Sequence, residues 1–118
     1  MALSIVRVIL YVRDIARVAD FYQRHFEMRA LPTNKNDWLE LVSDGGGCTI
    51  ALHQASVAQK SSAAVKIVFG VVDIRGFKKK QEEAGLKFGA IHEADGFQFA
   101  NAKDPAGNSI QISSRGLT

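Results

Sequence analysis

Seven side chains in this sequence carry chemistry that a small molecule would meet: Arg7, Tyr11, Trp38, Glu40, His53, Lys66 and Gln111. Strand alternation groups several of them. Arg7, Ile9 and Tyr11 share one face of VRVILYV, and Lys66, Val68 and Gly70 share one face of VKIVFG. Trp38, Glu40 and Val42 fall together in DWLELVS, and His53 points the same way as Ala51. Arg7 and Lys66 can grip a carboxylate or phosphate; an open, wet surface also tolerates such chains, with Glu40 at hand as a partner. Tyr11 offers a proton or an aromatic wall. Trp38 offers a stacking platform, or a patch for a dimer partner to cover. His53 is the best general-base candidate, because an imidazole exchanges protons near neutral pH. Cations, rings and an amide together suit a small ligand with an anionic group and a flat or apolar body.

The remaining polar candidates read as structural. His25, beside Phe26, suits a polar edge or a helix end, and His92, in IHEADG, suits a surface loop. Cys48 falls on the same strand face as Ile50 and Leu52, which predicts a buried, inert thiol. Asp104-Pro105-Ala106-Gly107-Asn108 is turn chemistry, in which Pro fixes φ and Gly or Asn accepts positive φ.

The elements that position these side chains occur twice. Residues 6–15 (VRVILYVRDI) and 65–74 (VKIVFGVVDI) match at an offset of 66 − 7 = 59. A second echo pairs Asp44-Gly45-Gly46-Gly47 with residues 104–107 at an offset of 104 − 44 = 60, and pairs Ala51 with Gln111. Each repeat opens with an apolar strand and an Asp suited to cap a helix. Asp14 begins a helix through Phe26 with an apolar stripe at Ile15, Val18, Phe21, Tyr22 and Phe26. Asp73 begins its counterpart, with Ile74, Phe77 and Ala84 facing inward and Gly85 ending it. Strands are expected at 37–43, 47–54, 86–91, 97–103 and 108–113, which makes each half strand, helix, then three strands. Residues 55–64 (ASVAQKSSAA) read as a linker between halves 1–54 and 65–118 of one domain.

Composition excludes several classes. A chain of 118 residues, 47% apolar and 23% charged, makes one globular domain with a proper core. A net charge of +3 without a basic stripe argues against nucleic acid. One cysteine rules out an internal disulfide and a Cys-rich zinc site. The opening MALSIVRVILYV is short and broken by Arg7, so neither a signal peptide nor a membrane span fits, and the cytoplasm is the default location.

With the repeat, LYVRDIARVADFYQRHF (10–26) and KDPAGNSIQI (103–112) resemble the vicinal oxygen chelate superfamily of glyoxalases, bleomycin-resistance proteins and extradiol dioxygenases. The resemblance covers essentially the whole chain. It implies an α+β fold of two tandem βαβββ modules whose curled mixed sheet forms a concave cup, and a homodimer. A ferredoxin-like fold also begins with strand-helix-strand units but lacks the Asp-Pro-x-Gly-Asn turn before its last strand. Metal-using members place a His on the first strand of each half and a Glu or similar ligand on the last. Here those positions hold Arg7, Lys66, Ala51 and Gln111, so no metal and no cofactor is expected. His53, Glu40 and Gln111 could rebuild an irregular site only beside two fixed positive charges.

Two functions follow. The first is a metal-free protein that binds a small anionic or polar molecule in the cup; the +3 charge disfavours a cationic drug. The second is an enzyme of the glyoxalase or dioxygenase type (lyase, isomerase or dioxygenase), using a rebuilt metal site or acid-base chemistry at His53 and Tyr11.

Overall fold

The computed structural model describes residues 2, 5–56 and 65–117. The chain divides into two compact units, Met1–Ser61 and Ser62–Thr118. Most of the expected linker, residues 57–64, lies outside the described residues.

The first unit runs β1 (Arg7–Val12), α1 (Ile15–Phe26), β2 (Arg29–Ala30), β3 (Trp38–Val42) and β4 (Thr49–Gln54). The second runs β5 (Lys66–Gly70), α2 (Ile74–Glu83), β6 (His92–Ala94), β7 (Phe97–Lys103) and β8 (Ser109–Ser113). Each unit is thus βαβββ. Its four-stranded sheet is mixed and open, in the order β1-β4-β3-β2 or β5-β8-β7-β6. β1 pairs parallel with β4 and β5 parallel with β8; every other pairing is antiparallel.

Local chemistry explains the repeated start. The Asp14 carboxylate accepts a hydrogen bond from the Arg17 N–H, and the Asp73 carboxylate accepts one from the Gly76 N–H. At Gly76 a Cβ would run into the Asp73 carboxylate, so glycine lets the cap close. α1 buries Val18, Ala19, Phe21 and Tyr22 against Leu10, Val12, Leu41, Ile50 and Leu52, the sheet residues that alternation turns inward. Ile74, Leu86, Phe88, Ala100, Ile110 and Ile112 do the same in the second unit.

The Asp104 turn joins β7 to β8 and is held from inside. Its carboxylate, on a residue only 5% exposed, accepts from the Ala106 and Asn108 N–H groups at 2.9 and 2.8 Å and from Asn108 Nδ2 at 3.0 Å. The tighter β6–β7 turn places Asp95 and Gly96 both at positive φ (48° and 83°), the backbone a two-residue hairpin loop requires.

Three expectations fail for physical reasons. The strand expected at 86–91 is an extended segment instead. Leu86 and Phe88 are buried in alternation, but its ladder contact is the Gly89 N–H on the Asn101 carbonyl, and β6 forms later at His92–Ala94. Ala84 is exposed because it caps α2, and Gln81 is buried in its stead. Cys48 is exposed: β4 begins only at Thr49, so strand alternation does not reach back past Gly46 and Gly47, both at positive φ. His25 does stand at the helix end, in the last turn of α1, and is buried there with its ring 5.1 Å from that of Phe21.

Candidate functional site

Five of the seven candidates lie on the first sheet and two on the second. On the first sheet, register sets Tyr11, His53 and Trp38 side by side across β1, β4 and β3. Their rings touch in series: Tyr11 to His53 at 5.2 Å, and Trp38 to His53 edge-on at 5.9 Å. His53 Nδ1 lies 3.0 Å from the Gln54 carbonyl oxygen. A carbonyl only accepts, so Nδ1 carries the hydrogen and the neutral ring keeps its lone pair on Nε2.

One row along the sheet stand Ile9, Ala51 and Glu40. Arg7 Nε donates to Glu40 Oε1 at 2.7 Å. Because β1 and β3 flank β4, this ion pair spans β4 near Thr49 and Ala51. Ala51 faces away from the helix side yet is 0% exposed, and its lone methyl leaves room for the bridge above it.

The second sheet repeats this layout with different chemistry. Its register aligns Lys66 with Ser109, Val68 with Gln111 and Asn101, and Gly70 with Ser113 and Phe99. Asn101 therefore stands where the first sheet has Glu40. Asn101 Oδ1 accepts from Lys66 Nζ at 3.1 Å and from Gln111 Nε2 at 2.9 Å. Lys103 Nζ donates to Ser109 Oγ at 3.0 Å. Lys66 and Lys103 are thus held by neutral oxygens, whereas Arg7 is held by a carboxylate.

A second difference opens a concavity. Gly70 occupies the place of Tyr11, and Ser113 that of His53. Without those two rings a hollow of about 430 Å³ remains, lined by Val68, Gly70, Phe97, Phe99, Gln111, Ser113 and Arg115. Arg115 sits over the Phe97 ring, 5.4 Å from its centroid. Alternation finds Lys66, and the repeat with the family resemblance finds Gln111, but neither finds Asn101, Phe97, Phe99, Ser113 or Arg115. The signal was present: carrying the repeat into β7 with one further residue of offset (99 − 38 = 61) sets Phe99 against Trp38 and Asn101 against Glu40.

The residues at the positions that the resemblance assigns to metal ligands do not fit a divalent cation. Arg7 is a guanidinium tied to Glu40, Ala51 has no donor atom, and Lys66 and Gln111 both donate to Asn101. The rebuilt set is weakened by its existing commitments: the Glu40 carboxylate is bound to Arg7, His53 Nδ1 faces a carbonyl, and Gln111 Nε2 donates to Asn101. Among the described residues no three His, Cys, Asp or Glu side chains gather as a metal site.

This fold and these open sheet faces define a class. The family model described as Glyoxalase/Bleomycin resistance protein/Dioxygenase superfamily matches residues 4–112, and the chain belongs to that superfamily. Solved structures agree on the fold. Lactoylglutathione lyase from Agrobacterium tumefaciens superposes with a TM-score of 0.75 at 18% identity, covering 93% of this chain and 92% of that one. TnmS3, an antibiotic binding protein from Streptomyces sp. CB03234, gives 0.78 at 20% identity, covering 95% and 96%. A superfamily member from Sphaerobacter thermophilus gives 0.80 at 20% identity, covering 95% and 97%. Among curated proteins none matches the sequence significantly. Among the described residues no helix is long and apolar enough to cross a membrane.

Proposed function

We propose that this chain binds a small anionic or polar molecule, without a resident metal, on the exposed face of its second sheet. One observation carries the reading: Arg115, the cation that lines the hollow, rests on the face of the Phe97 ring. Lys66, farther along the same sheet face, is likewise held by a neutral oxygen, that of Asn101. Positive charge so placed beside a hollow with apolar walls is where an anion gains most. On the first sheet Glu40 already balances Arg7, so the basic pair expected from the sequence divides into a compensated member and an active one.

The test titrates isotope-labelled protein with benzoate and with benzylamine at low salt, following backbone amide shifts. Benzoate should move the signals of Gln111 and Ser113, and Lys66→Ala should weaken it more than Arg7→Ala does. A preference for benzylamine, or no response to either, would sink the reading. Equilibration with Mn, Fe, Ni and Zn in turn should leave no stoichiometric metal after desalting.

A second reading, catalysis at His53 with Tyr11 beside it, draws on the fixed His53 tautomer, which presents Nε2 as a base. It requires lactoylglutathione lyase-type turnover that His53→Gln abolishes.

A further inference from the structure

We infer that the hollow on the second sheet is specific for a planar aromatic carboxylate, bound once per chain because Gly70 replaces the ring that fills the equivalent place on the first sheet. This rests on the anion-binding reading above and names the ligand class.

The walls select a flat body. Phe97 and Phe99 lie 6.0 Å apart at 35°, and His92 continues the series 5.1 Å from Phe99 at 30°. Three rings tilted so little from one another make a shallow ladder. A planar ring can extend it by offset stacking, whereas a bulky aliphatic group meets it edge by edge. The place for that ring is the row Gly70–Ser113–Phe99, where the first sheet carries Tyr11, His53 and Trp38. At Gly70 a Cβ would come within 3.2 Å of Leu117 Cδ1, the far end of a flexible side chain. A Cβ there would need Leu117 to give way, so Leu117 packs against Gly70 itself while the missing ring leaves the row open toward Ser113 and Phe99.

The polar groups select the charge and its geometry. Arg115 Cζ lies 5.4 Å from the Phe97 ring centroid, which leaves its guanidinium N–H groups free of a carboxylate partner among the described residues and suited to a two-point contact with a bound one. Ser113, only 5% exposed, accepts the backbone N–H of Arg115 through Oγ at 3.1 Å, so its own hydroxyl hydrogen remains to donate. Gln111 gives one of its two Nε2 hydrogens to Asn101, which leaves the other as a donor and Oε1 as an acceptor. The hollow thus offers donors for a carboxylate and one acceptor for a hydroxyl or amine on the ring.

The experiment uses 2-naphthoate, its neutral amide 2-naphthamide, and cyclohexanecarboxylate, each titrated by calorimetry and by amide shifts of the full chain. 2-Naphthoate should bind one per chain, with a dissociation constant on the order of 0.1–1 mM for a ligand of about thirteen heavy atoms. The amide and the aliphatic acid should each bind about tenfold more weakly. Arg115→Gln should bring 2-naphthoate down to the affinity of the amide and leave the amide unchanged. Gly70→Tyr should abolish both. Should that variant fail to fold, Phe99→Ala should weaken both aromatic probes alike and leave cyclohexanecarboxylate unaffected. Equal binding of the aliphatic and aromatic acids overturns the aromatic selection while leaving the anion reading in place. Absence of binding by every anion overturns both. Two equivalents bound, or shifts centred on Tyr11 and His53, overturn the single-site assignment.

Discussion

Replacing Asn101 with Asp separates charge from contact. Asn101 Oδ1 accepts from Lys66 Nζ and Gln111 Nε2, and a carboxylate can keep both bonds. What changes is one negative charge, which gives the second sheet the balance that Glu40 gives Arg7 on the first. Gln111 lines the hollow and lies 2.9 Å from Asn101, so the new charge falls about one side-chain amide from a bound ligand, roughly 7 Å from its carboxylate. With an effective dielectric of about 40–80, the Coulomb penalty is about 0.6–1.2 kcal/mol. Asn101→Asp should therefore weaken 2-naphthoate roughly three- to eightfold at low salt and less at high salt. 2-Naphthamide should bind as before, and stability to urea should change by no more than about 0.5 kcal/mol, as for other surface pairs. Equal weakening of the charged and neutral probes would show a change of shape rather than of field, and would refute the electrostatic argument. So would unchanged 2-naphthoate affinity at low salt.

Asp104→Ala should cost about 3 kcal/mol in urea denaturation, because two backbone N–H groups and the Asn108 amide lose one buried carboxylate; a loss below about 1 kcal/mol would contradict the turn's role. Glu27 ends α1 at φ 54°, so Glu27→Gly should stabilise the chain by about 0.5–1 kcal/mol, read as a higher urea midpoint. Cys48 should react with a thiol-specific chromogenic disulfide in native buffer without prior unfolding, and a reaction that waits on denaturant would contradict its exposure.

Features read well from the sequence are those fixed by short-range chemistry. The capping aspartates Asp14 and Asp73, the alternation of β1 and β5, and the Asp104 turn each depend on residues within a few positions of one another. Features that depend on partners far along the chain were less legible. β2 and β6 are too short, at two and three residues, to leave a periodic signature. The alternation at Leu86 and Phe88 is a true burial pattern without a full ladder, and periodicity alone does not distinguish the two. Asn101 looked unremarkable because its role comes from Lys66, 35 positions away. The same holds for the hollow, which arises from what Gly70 lacks.

The ion pair over Ala51 also bears on how such a surface can change over time. Placing a carboxylate at Ala51 alone would crowd a second anion beside Glu40 and compete for Arg7. Exchanging Arg7 for His alone would shorten the cation that Glu40 holds, a loss of no more than about 1 kcal/mol for a pair this exposed. The two positions are therefore coupled through Glu40, and only both changes together make a plausible donor set with it. The second sheet, whose cations have no such carboxylate to lose, carries no such coupling and can exchange residues one at a time.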